Sequence, residues 1–391
     1  MLHTALVAAS SPLALLALAT LLYTLATAVQ ILRGNRSIRF LRDLPLPGGA
    51  LPRVSVVIPA RNEERNLEEA LRSVLALDYP DLEIDVVDDR STDRTREILD
   101  RMAAAEPRLR VVHVRELPPG WLGKNHSLWL GVSKATGEFL LFTDADIIFA
   151  PSVLRRAVGA MQADALDHLT ATPEIVRTSA PFEIFIGAFA LFFSIFVKPW
   201  RVKNPKSRSH VGIGAFNLVR TTAYRAVHGH EAIAMRPDDD LKLGKILKKN
   251  GFRQELAFGI GMLRVEWYGS VRELVDGLRK NAFAVLDYRV SAVVVGTAAQ
   301  LVIFAWPFLG AVVLAGPPRW LYLASALVLV ALGWVNSPLA GVRRWTGIGL
   351  PLATLLFVYV VWRSMLSTLW RSGIDWRGTH YPLAELKANR E

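Results

Sequence analysis

The sequence predicts an α/β domain with a mostly parallel sheet, joined to transmembrane α-helices. In the middle of the chain, short apolar runs alternate with amphipathic helical patterns, as in a parallel sheet with crossover helices. Long uncharged stretches lie near both ends. Of the 391 residues, 52% are hydrophobic and 21% charged, with a mean hydropathy of +0.28. This composition is typical of a water-facing domain attached to membrane spans.

The formal net charge of +11 indicates cytoplasmic loops that face anionic lipid, or a site for a phosphorylated substrate. We expect no nucleic-acid partner, because the Lys and Arg residues do not gather into one aromatic-laced tract. The chain has no cysteine, so disulfides and thiolate chemistry are excluded.

The N-terminal stretch Ala5–Leu32 carries no charge and is long enough to span a membrane. A basic cluster follows it, which marks the cytoplasmic end of a span. We therefore predict a transmembrane anchor at residues 1–32 and a basic juxtamembrane linker at 33–52. The basic cluster consists of Arg33, Arg36, Arg39 and Arg42.

Near the C-terminus, residues 290–370 predict further transmembrane helices, followed by a basic tail at 371–391. Counting three crossings places the tail on the side of the membrane opposite the α/β domain, whereas a re-entrant segment would put both on the same side, so the topology stays open. We expect an integral protein of a bacterial cytoplasmic membrane, with its α/β domain facing the cytoplasm. The candidate spans are Val290–Gly316, Leu321–Val335 and Ile348–Leu366.

One more apolar stretch, Phe182–Val197, lies inside the polar region and is short for a full span. With Lys198 and Trp200 at its end, it fits a helix at residues 182–198 lying in the membrane interface. A buried core helix fits it equally well.

The region 53–289 predicts the α/β domain. A βαβαβαβ order implies parallel strands with right-handed crossovers, and ligands bind at the carboxyl ends of such strands. The predicted strands are Val54–Ile58, Ile84–Val87, Leu109–Val114 and Glu138–Phe142, and the predicted helices begin near Asn66, Asp93 and Asn125.

A cluster of polar residues follows each of these four strands, which predicts one shared binding site. Singly, each cluster has a simpler explanation: Asp93 suits a helix N-cap, and Glu63 and Glu64 suit a solvated first turn. The four clusters are residues 59–64, 88–93, 120–126 and 143–146.

The acid pair Asp144 and Asp146 indicates a divalent metal, Mg²⁺ or Mn²⁺. Residues i and i+2 share a face of a strand, and two carboxylates side by side repel unless a cation neutralises them. Mg²⁺ is typically held by one or two carboxylates together with substrate phosphates. Lys124 and the amides at the start of the Asn125 helix would add positive charge. Motifs for a dinucleotide, zinc or a P-loop are absent.

Three stretches together resemble the inverting, membrane-bound glycosyltransferases of family 2, which have the GT-A fold. They are VSVVIPARNEE at Val54–Glu64, VVDDRSTDRT at Val86–Thr95, and TDAD at Thr143–Asp146, the last resembling the family's DxD motif. Arg90 stands where glycine is commoner. The stretch Gly120–Gly131, with the flanking spans, resembles a branch that glucosylates carotenoids or hopanoid lipids.

The resemblance implies a nucleotide-sugar donor of UDP-glucose type, a divalent metal and a lipid hydroxyl acceptor of carotenoid, hopanoid, ceramide or polyprenol type. It places Asp89 at the nucleotide base and Lys124 at the diphosphate. Asp146 would bind the metal, and Asp144 would lie near the ribose and sugar and act as a second metal ligand. Residues implied to line the base and ribose are Pro59, Ala60, Arg61 and Glu63, and Asn125 joins the nucleotide-sugar site.

Inversion also requires a base for the acceptor hydroxyl. The segment 237–244 offers three adjacent acids, and three acids in a row repel one another, which raises at least one pKa. The resembled family has an acidic pair followed by two residues and a leucine. When Leu243 is taken as that leucine, the pair falls at Asp239 and Asp240, and the resemblance implies Asp240 as the base. A solvated helix start is the alternative reading.

Gly212 and Gly214 resemble the family's glycine-containing strand near the acceptor, although an ordinary turn is equally consistent. Arg279 and Lys280 are candidates for holding phosphate. The Gln/Arg-x-x-Arg-Trp motif of polymerising members is missing from residues 276–283, which favours transfer of a single sugar. The alternatives are a processive polysaccharide synthase and a nucleotide-sensing lipid-binding or transport protein.

Overall fold

The computed structural model describes residues 12–176 and 179–389, so the first residues of the predicted anchor and the last two of the tail lie outside it. The described strands are β1 Val54–Ala60, β2 Leu82–Asp89, β3 Leu109–Val114, β4 Phe139–Phe142, β5 Ile147–Phe149, β6 His168–Thr172, β7 Glu174–Ile175, β8 Asn217–Arg220, β9 Gln254–Phe258, β10 Leu263–Val265, β11 Gly373–Trp376 and β12 Thr379–Pro382.

The described α-helices are α1 Pro12–Asn35, α2 Leu67–Leu75, α3 Thr95–Ala105, α4 Gly123–Val132, α5 Val153–Ala163, α6 Ala180–Val197, α7 Thr221–Ala226, α8 Asp239–Lys249, α9 Val271–Leu278, α10 Val290–Gln300, α11 Trp306–Val313, α12 Pro317–Asn336, α13 Leu350–Trp370 and α14 Leu383–Ala388. Leu301–Ala305 forms a π-helical turn between α10 and α11.

The chain forms two compact units. The sheet unit comprises residues 38–176, 199–267 and 370–389, and the helical unit comprises 12–37, 179–198 and 268–369, within the described residues. The predicted catalytic domain, 53–289, therefore differs from the sheet unit, since residues 268–289 belong to the helical unit.

The central sheet has seven strands in the order β3-β2-β1-β4-β8-β6-β9. The first four run parallel, as the βαβ pattern predicts. Strand β8 was not predicted from the sequence, and it runs antiparallel between β4 and β6. All residues of β4 are buried because helices and loops cover both sides of this central strand, which explains its continuous apolar run.

Strand β2 extends to Asp89, so Asp88 and Asp89 belong to the strand rather than to the loop after it. The Asp88 carboxylate has local partners that hold it there: it lies 2.8 Å from His113 Nδ1 and accepts a hydrogen bond from the Ser91 amide at 3.1 Å. The predicted cap Asp93 precedes α3 and accepts from the Thr95 amide, but the N-cap position itself is Arg94.

In the helical unit, α1 and α12 end at the same level. The Asn35 side-chain amide donates to the Asn336 side-chain oxygen at 2.8 Å. The basic residues after α1 and Arg343 after α12 therefore follow neighbouring helix ends. Arg343 also pairs with Glu183 of α6 at 2.7 Å, and that carboxylate is otherwise buried.

Five helical segments in the described part of the chain are long and apolar enough to cross a membrane: Pro12–Asn35, Ala180–Arg201, Val290–Val313, Pro317–Ala340 and Arg344–Trp370. Residues 182–198, which the sequence makes short for a full span, lie in a helical segment of 22 residues that is long and apolar enough to cross a membrane. That this helix lies in the membrane interface stays a prediction. Helix α13 packs on α6, with the Phe185 and Phe357 rings stacked at 4.3 Å between centroids.

Candidate active site

The carboxyl ends of β1 and β2 bring Arg61 and Asp89 together. Arg61 Nη1 lies 3.0 Å from Asp89 Oδ2, and Arg90 Nε lies 2.7 Å from Asp89 Oδ1. Burial raises the pKa of Asp89, but hydrogen bonds from Arg90 and Arg61 outweigh burial and hold the pKa below its ordinary value. The carboxylate is therefore charged and fixed in direction.

Within the described residues, Arg61 Nε is buried without a hydrogen-bond partner. A buried donor without a partner is rare and costs about 1–3 kcal/mol, so it needs an explanation. A polar ligand that accepts from this nitrogen would remove the cost.

Backbone and side-chain hydrogen bonds join the loop after β1 to the loop after β2. The Asn62 amide donates to Ser91 Oγ at 3.0 Å, the Thr92 amide donates to Asn62 Oδ1 at 2.8 Å, and the Glu63 amide donates to Thr95 Oγ1 at 2.7 Å. These bonds explain why two separate polar clusters in the sequence form one surface.

Arg90 adopts a left-handed backbone with φ of 56°. Glycine enters this region without steric cost, which accounts for its being commoner at this position in the resembled family. The two hydrogen bonds from the Arg90 guanidinium to Asp89, at 2.7 and 3.2 Å, offset the strain.

Lys124, in the first turn of α4, connects the two acid clusters. Its Nζ lies 3.0 Å from Asp144 Oδ1 and 3.4 Å from Asp239 Oδ1. Burial lowers the pKa of Lys124, but the carboxylates of Asp144, Asp239 and Asp240 outweigh burial and raise it. A single ammonium group thus faces three carboxylates, which leaves the centre short of positive charge.

Asp146 lies in the turn between β4 and β5. Burial, followed by the carboxylates of Asp144 and Glu63, raises the pKa of Asp146 to about 7. A bound cation would reverse this shift, because it stabilises the charged form.

The three adjacent acids differ in their partners. Asp238 is buried and receives two hydrogen bonds from Arg236, at 3.0 and 3.1 Å. Asp239 faces Lys124. Asp240 accepts from the Gly214 amide at 2.8 Å and from the Leu241 amide at 2.7 Å. Burial raises the pKa of Asp240 and outweighs those two bonds.

The Gly212–Phe216 stretch is a loop before β8 and not a strand. Close backbone approach is nevertheless required there. A Cβ on Gly212 would lie 1.8 Å from the Asp240 carbonyl oxygen, and one on Gly214 would lie 2.6 Å from Asp144 Oδ2. These glycines bring the two acid clusters together; contact with an acceptor stays a prediction.

Other predicted donor residues occupy the same end of the sheet. Pro59 and Ala60 close β1, with Ala60 buried. The Asn125 side chain is fully buried and donates to the carbonyls of Ile233, Ala234 and Arg236. Asn125 thereby holds the loop that leads into the acid triplet, and a direct contact with nucleotide stays a prediction.

Comparison with known proteins agrees with this geometry. Residues 55–226 match the family model described as Glycosyl transferase family 2. These residues are a family 2 glycosyltransferase domain. The mannosyltransferase PcManGT of Pyrobaculum calidifontis, solved with GDP-Man and Mn²⁺, aligns with 92% of this chain and 99% of its own, at a TM-score of 0.55 and 20% identity. The fold is GT-A.

Two curated relatives of the family 2 domain carry an isoprenoid-type substrate in their names. A 4,4'-diaponeurosporenoate glycosyltransferase of Staphylococcus haemolyticus is 25% identical over 63% of this chain and 65% of its own length. A GalNAc(5)-diNAcBac-PP-undecaprenol beta-1,3-glucosyltransferase of Campylobacter jejuni is 32% identical over 25% of this chain and 30% of its own. This chain thus spans less than two thirds of either relative.

The donor set of the family 2 domain fits a metal that is completed by substrate. Asp144 and Asp146 offer the hard oxygen ligands that Mg²⁺ and Mn²⁺ take. No group of three His, Cys, Asp or Glu side chains able to hold an ion occurs among residues 12–176 and 179–389. An ion here would need further ligands from a diphosphate.

Arg279 and Lys280 lie in the helical unit, where Ser364 Oγ donates to the Arg279 carbonyl. Their predicted role in binding phosphate stays a prediction.

Sequence reasoning missed a set of residues in the C-terminal tail that contact the family 2 domain. Arg377 donates to the Arg61 carbonyl at 2.8 Å and to Glu63 at 2.6 Å, and the Gly123 amide donates to the Tyr381 hydroxyl at 3.3 Å. Composition marked the tail only as basic, and no local pattern links it to strand ends 300 positions earlier.

Proposed function

We propose that this protein is a membrane-bound inverting glycosyltransferase that moves one sugar from a UDP-glucose-like nucleotide sugar to a hydroxyl of a lipid. The observation that carries the proposal is the position of Lys124 between Asp144 and Asp239. Lys124 therefore lies between the acid pair, which would serve the donor, and the acid triplet, which would supply the catalytic base. One bound sugar could reach both.

On the donor side, Arg61 and Arg90 hold the Asp89 carboxylate, which would accept a hydrogen bond from the nucleotide base. Arg61 Nε, which has no hydrogen-bond partner within the described residues, would donate to the nucleotide. Lys124 and the first amides of α4 would face the diphosphate. A divalent ion on Asp146, with Asp144 as second ligand, would neutralise charge on the departing diphosphate.

On the acceptor side, Asp240 would remove the hydroxyl proton as the acceptor oxygen attacks the anomeric carbon. The bond from that carbon to the phosphate oxygen breaks, and the nucleoside diphosphate leaves on the opposite face. The amides of Gly214 and Leu241 hold the carboxylate in direction, while its raised pKa makes it a stronger base than a solvated aspartate.

A lipid acceptor is supported by three features: the five apolar helices, the named substrates of the two relatives, and the missing polymerase motif. We place the protein in a bacterial cytoplasmic membrane with the sheet unit in the cytoplasm, because Arg33 lies in the last turn of α1, and Arg36 and Arg343 follow the neighbouring ends of α1 and α12.

The test uses the full chain purified in detergent. It is incubated with UDP-glucose or GDP-mannose, with Mn²⁺ or EDTA, and with a hydroxylated carotenoid or a polyprenol. We expect metal-dependent release of UDP and an acceptor heavier by one hexose in mass spectrometry. A ladder of hexose additions would identify a polysaccharide synthase instead, and nucleotide binding without any product would remove the transferase assignment.

A further inference from the structure

The C-terminal hairpin, residues 373–382, is built from β11 and β12 and belongs to the sheet unit. Its internal contacts do not involve the donor residues: Asp375 pairs with Arg371 and lies 2.7 Å from His380. The hairpin is therefore a self-contained element that reaches the nucleotide loops from outside the βαβ pattern.

Arg377, at the turn of the hairpin, contacts the loop after β1 with both arms of its guanidinium. Nη1 donates to the Arg61 carbonyl at 2.8 Å, and Nη2 lies 2.6 Å from Glu63 Oε1. Burial raises the pKa of Glu63, and Arg377 opposes that shift. The Arg377 guanidinium thus fixes the backbone of Arg61 and the side chain of Glu63, two residues predicted to bind the sugar-nucleotide donor.

Tyr381 anchors the hairpin beside the Asp89 carboxylate. Its buried hydroxyl accepts from the Gly123 amide at 3.3 Å. Space there is tight, since a Cβ on Gly123 would lie 2.1 Å from Asp89 Oδ2. Tyr381 therefore contacts the start of α4 where that helix packs against the end of β2.

A second anchor follows α14. The Asn389 side chain accepts from the Met235 amide and donates to the Ala232 carbonyl, both at 3.1 Å. These two residues flank the loop that Asn125 holds from the other side. The tail is thus tied to the donor loops at one end and to the loop before the acid triplet at the other.

We propose that the C-terminal hairpin forms part of the donor site and that Arg377 is a positioning residue, which holds the loop at Arg61 and Glu63 ready for the nucleotide. The inference rests on the proposed function. A tail that only covered the domain would contribute to stability, whereas a positioning tail changes the affinity for the donor.

The test compares Arg377→Ala with Arg377→Lys and with Arg371→Ala. Arg371 is a matched control, because it also pairs with one carboxylate, that of Asp375 within the hairpin, and is similarly exposed, 52% against 41% for Arg377. Within the described residues, Arg371 makes no hydrogen bond or ion pair to the donor loops. Donor KM, kcat, the Kd for UDP with Mn²⁺ by calorimetry, and the melting temperature are measured for each full-length variant.

For Arg377→Ala we expect donor KM and the Kd for UDP to rise about tenfold, the effect of losing one charged hydrogen-bonded contact, while kcat stays within about twofold. Arg377→Lys should recover only part of the loss, because lysine cannot donate to the carbonyl and the carboxylate in the same fork geometry. Arg371→Ala should match the wild type.

Two outcomes overturn the inference. If Arg377→Ala keeps the donor KM and Kd of Arg371→Ala while the wild type transfers sugar, the hairpin plays no part in donor binding and the proposed function stands. If the wild type binds neither UDP nor GDP, the proposed function falls, and the assignment of Arg377 falls with it.

Discussion

The acid triplet and the acid pair of the sheet unit share Lys124, but their other surroundings differ. Each acid of the triplet has a protein partner: Asp238 has Arg236, Asp239 has Lys124, and Asp240 has two amides. In the acid pair, Asp144 also has Lys124, whereas burial, followed by the carboxylates of Asp144 and Glu63, raises the pKa of Asp146. A carboxylate that has a hydrogen-bond or ion-pair partner in the protein can serve structure or proton transfer. A carboxylate surrounded by other carboxylates is suited to bind a metal cation.

The largest effect should come from Asp146→Ala. Removing the metal ligand leaves the charge on the departing diphosphate uncompensated, so turnover should fall about 10⁴-fold. Mn²⁺ should also stop enhancing UDP binding in calorimetry. Asp43→Asn, which alters an exposed acid paired only loosely with Arg42, serves as control. Unchanged turnover in Asp146→Ala would remove the metal from the mechanism.

Asp240→Asn should have the second-largest effect on turnover. We expect a reduction of about 10³-fold, which is the usual contribution of a general base. Asparagine keeps the size and one acceptor oxygen but cannot take the proton. The Kd for UDP should stay within about twofold, because only the transition state needs the base. A variant that loses donor binding to the same degree as turnover would show that Asp240 acts on the donor.

Asp238→Asn should have the smallest effect on turnover, within a few-fold of the wild type, and its main effect should be on stability. Arg236 is 1% exposed, and weakening a buried ion pair costs about 3 kcal/mol. Denaturant unfolding followed by fluorescence measures the loss. If Asp238→Asn instead abolishes turnover in a protein of unchanged stability, the base belongs at Asp238.

Much of the sheet, and the gathering of polar clusters at one end of it, could be predicted because both depend on local pattern. Strand β3 has the predicted bounds, and the polar clusters after β1, β2 and β4 do lie at one end of the sheet. The antiparallel strand β8 escaped prediction because its four residues carry no alternating pattern, and its pairing with β4 is set by tertiary contacts.

The partners within the site could not be predicted, because they depend on side-chain direction. Spacing shows that Asp238, Asp239 and Asp240 are adjacent, but not that Arg236 takes the first and Lys124 the second. The contact between Arg377 and Glu63 joins residues 314 positions apart, and no periodicity carries that information.

This separation along the chain has a consequence for synthesis. The loop at Glu63 leaves the ribosome long before Arg377 is made, with the described apolar helices of the helical unit other than α1 translated in between. A chain released early would hold the sheet strands and both acid clusters, but its nucleotide loop would lack the arginine that holds it. Full donor affinity would then require that translation has passed Arg377.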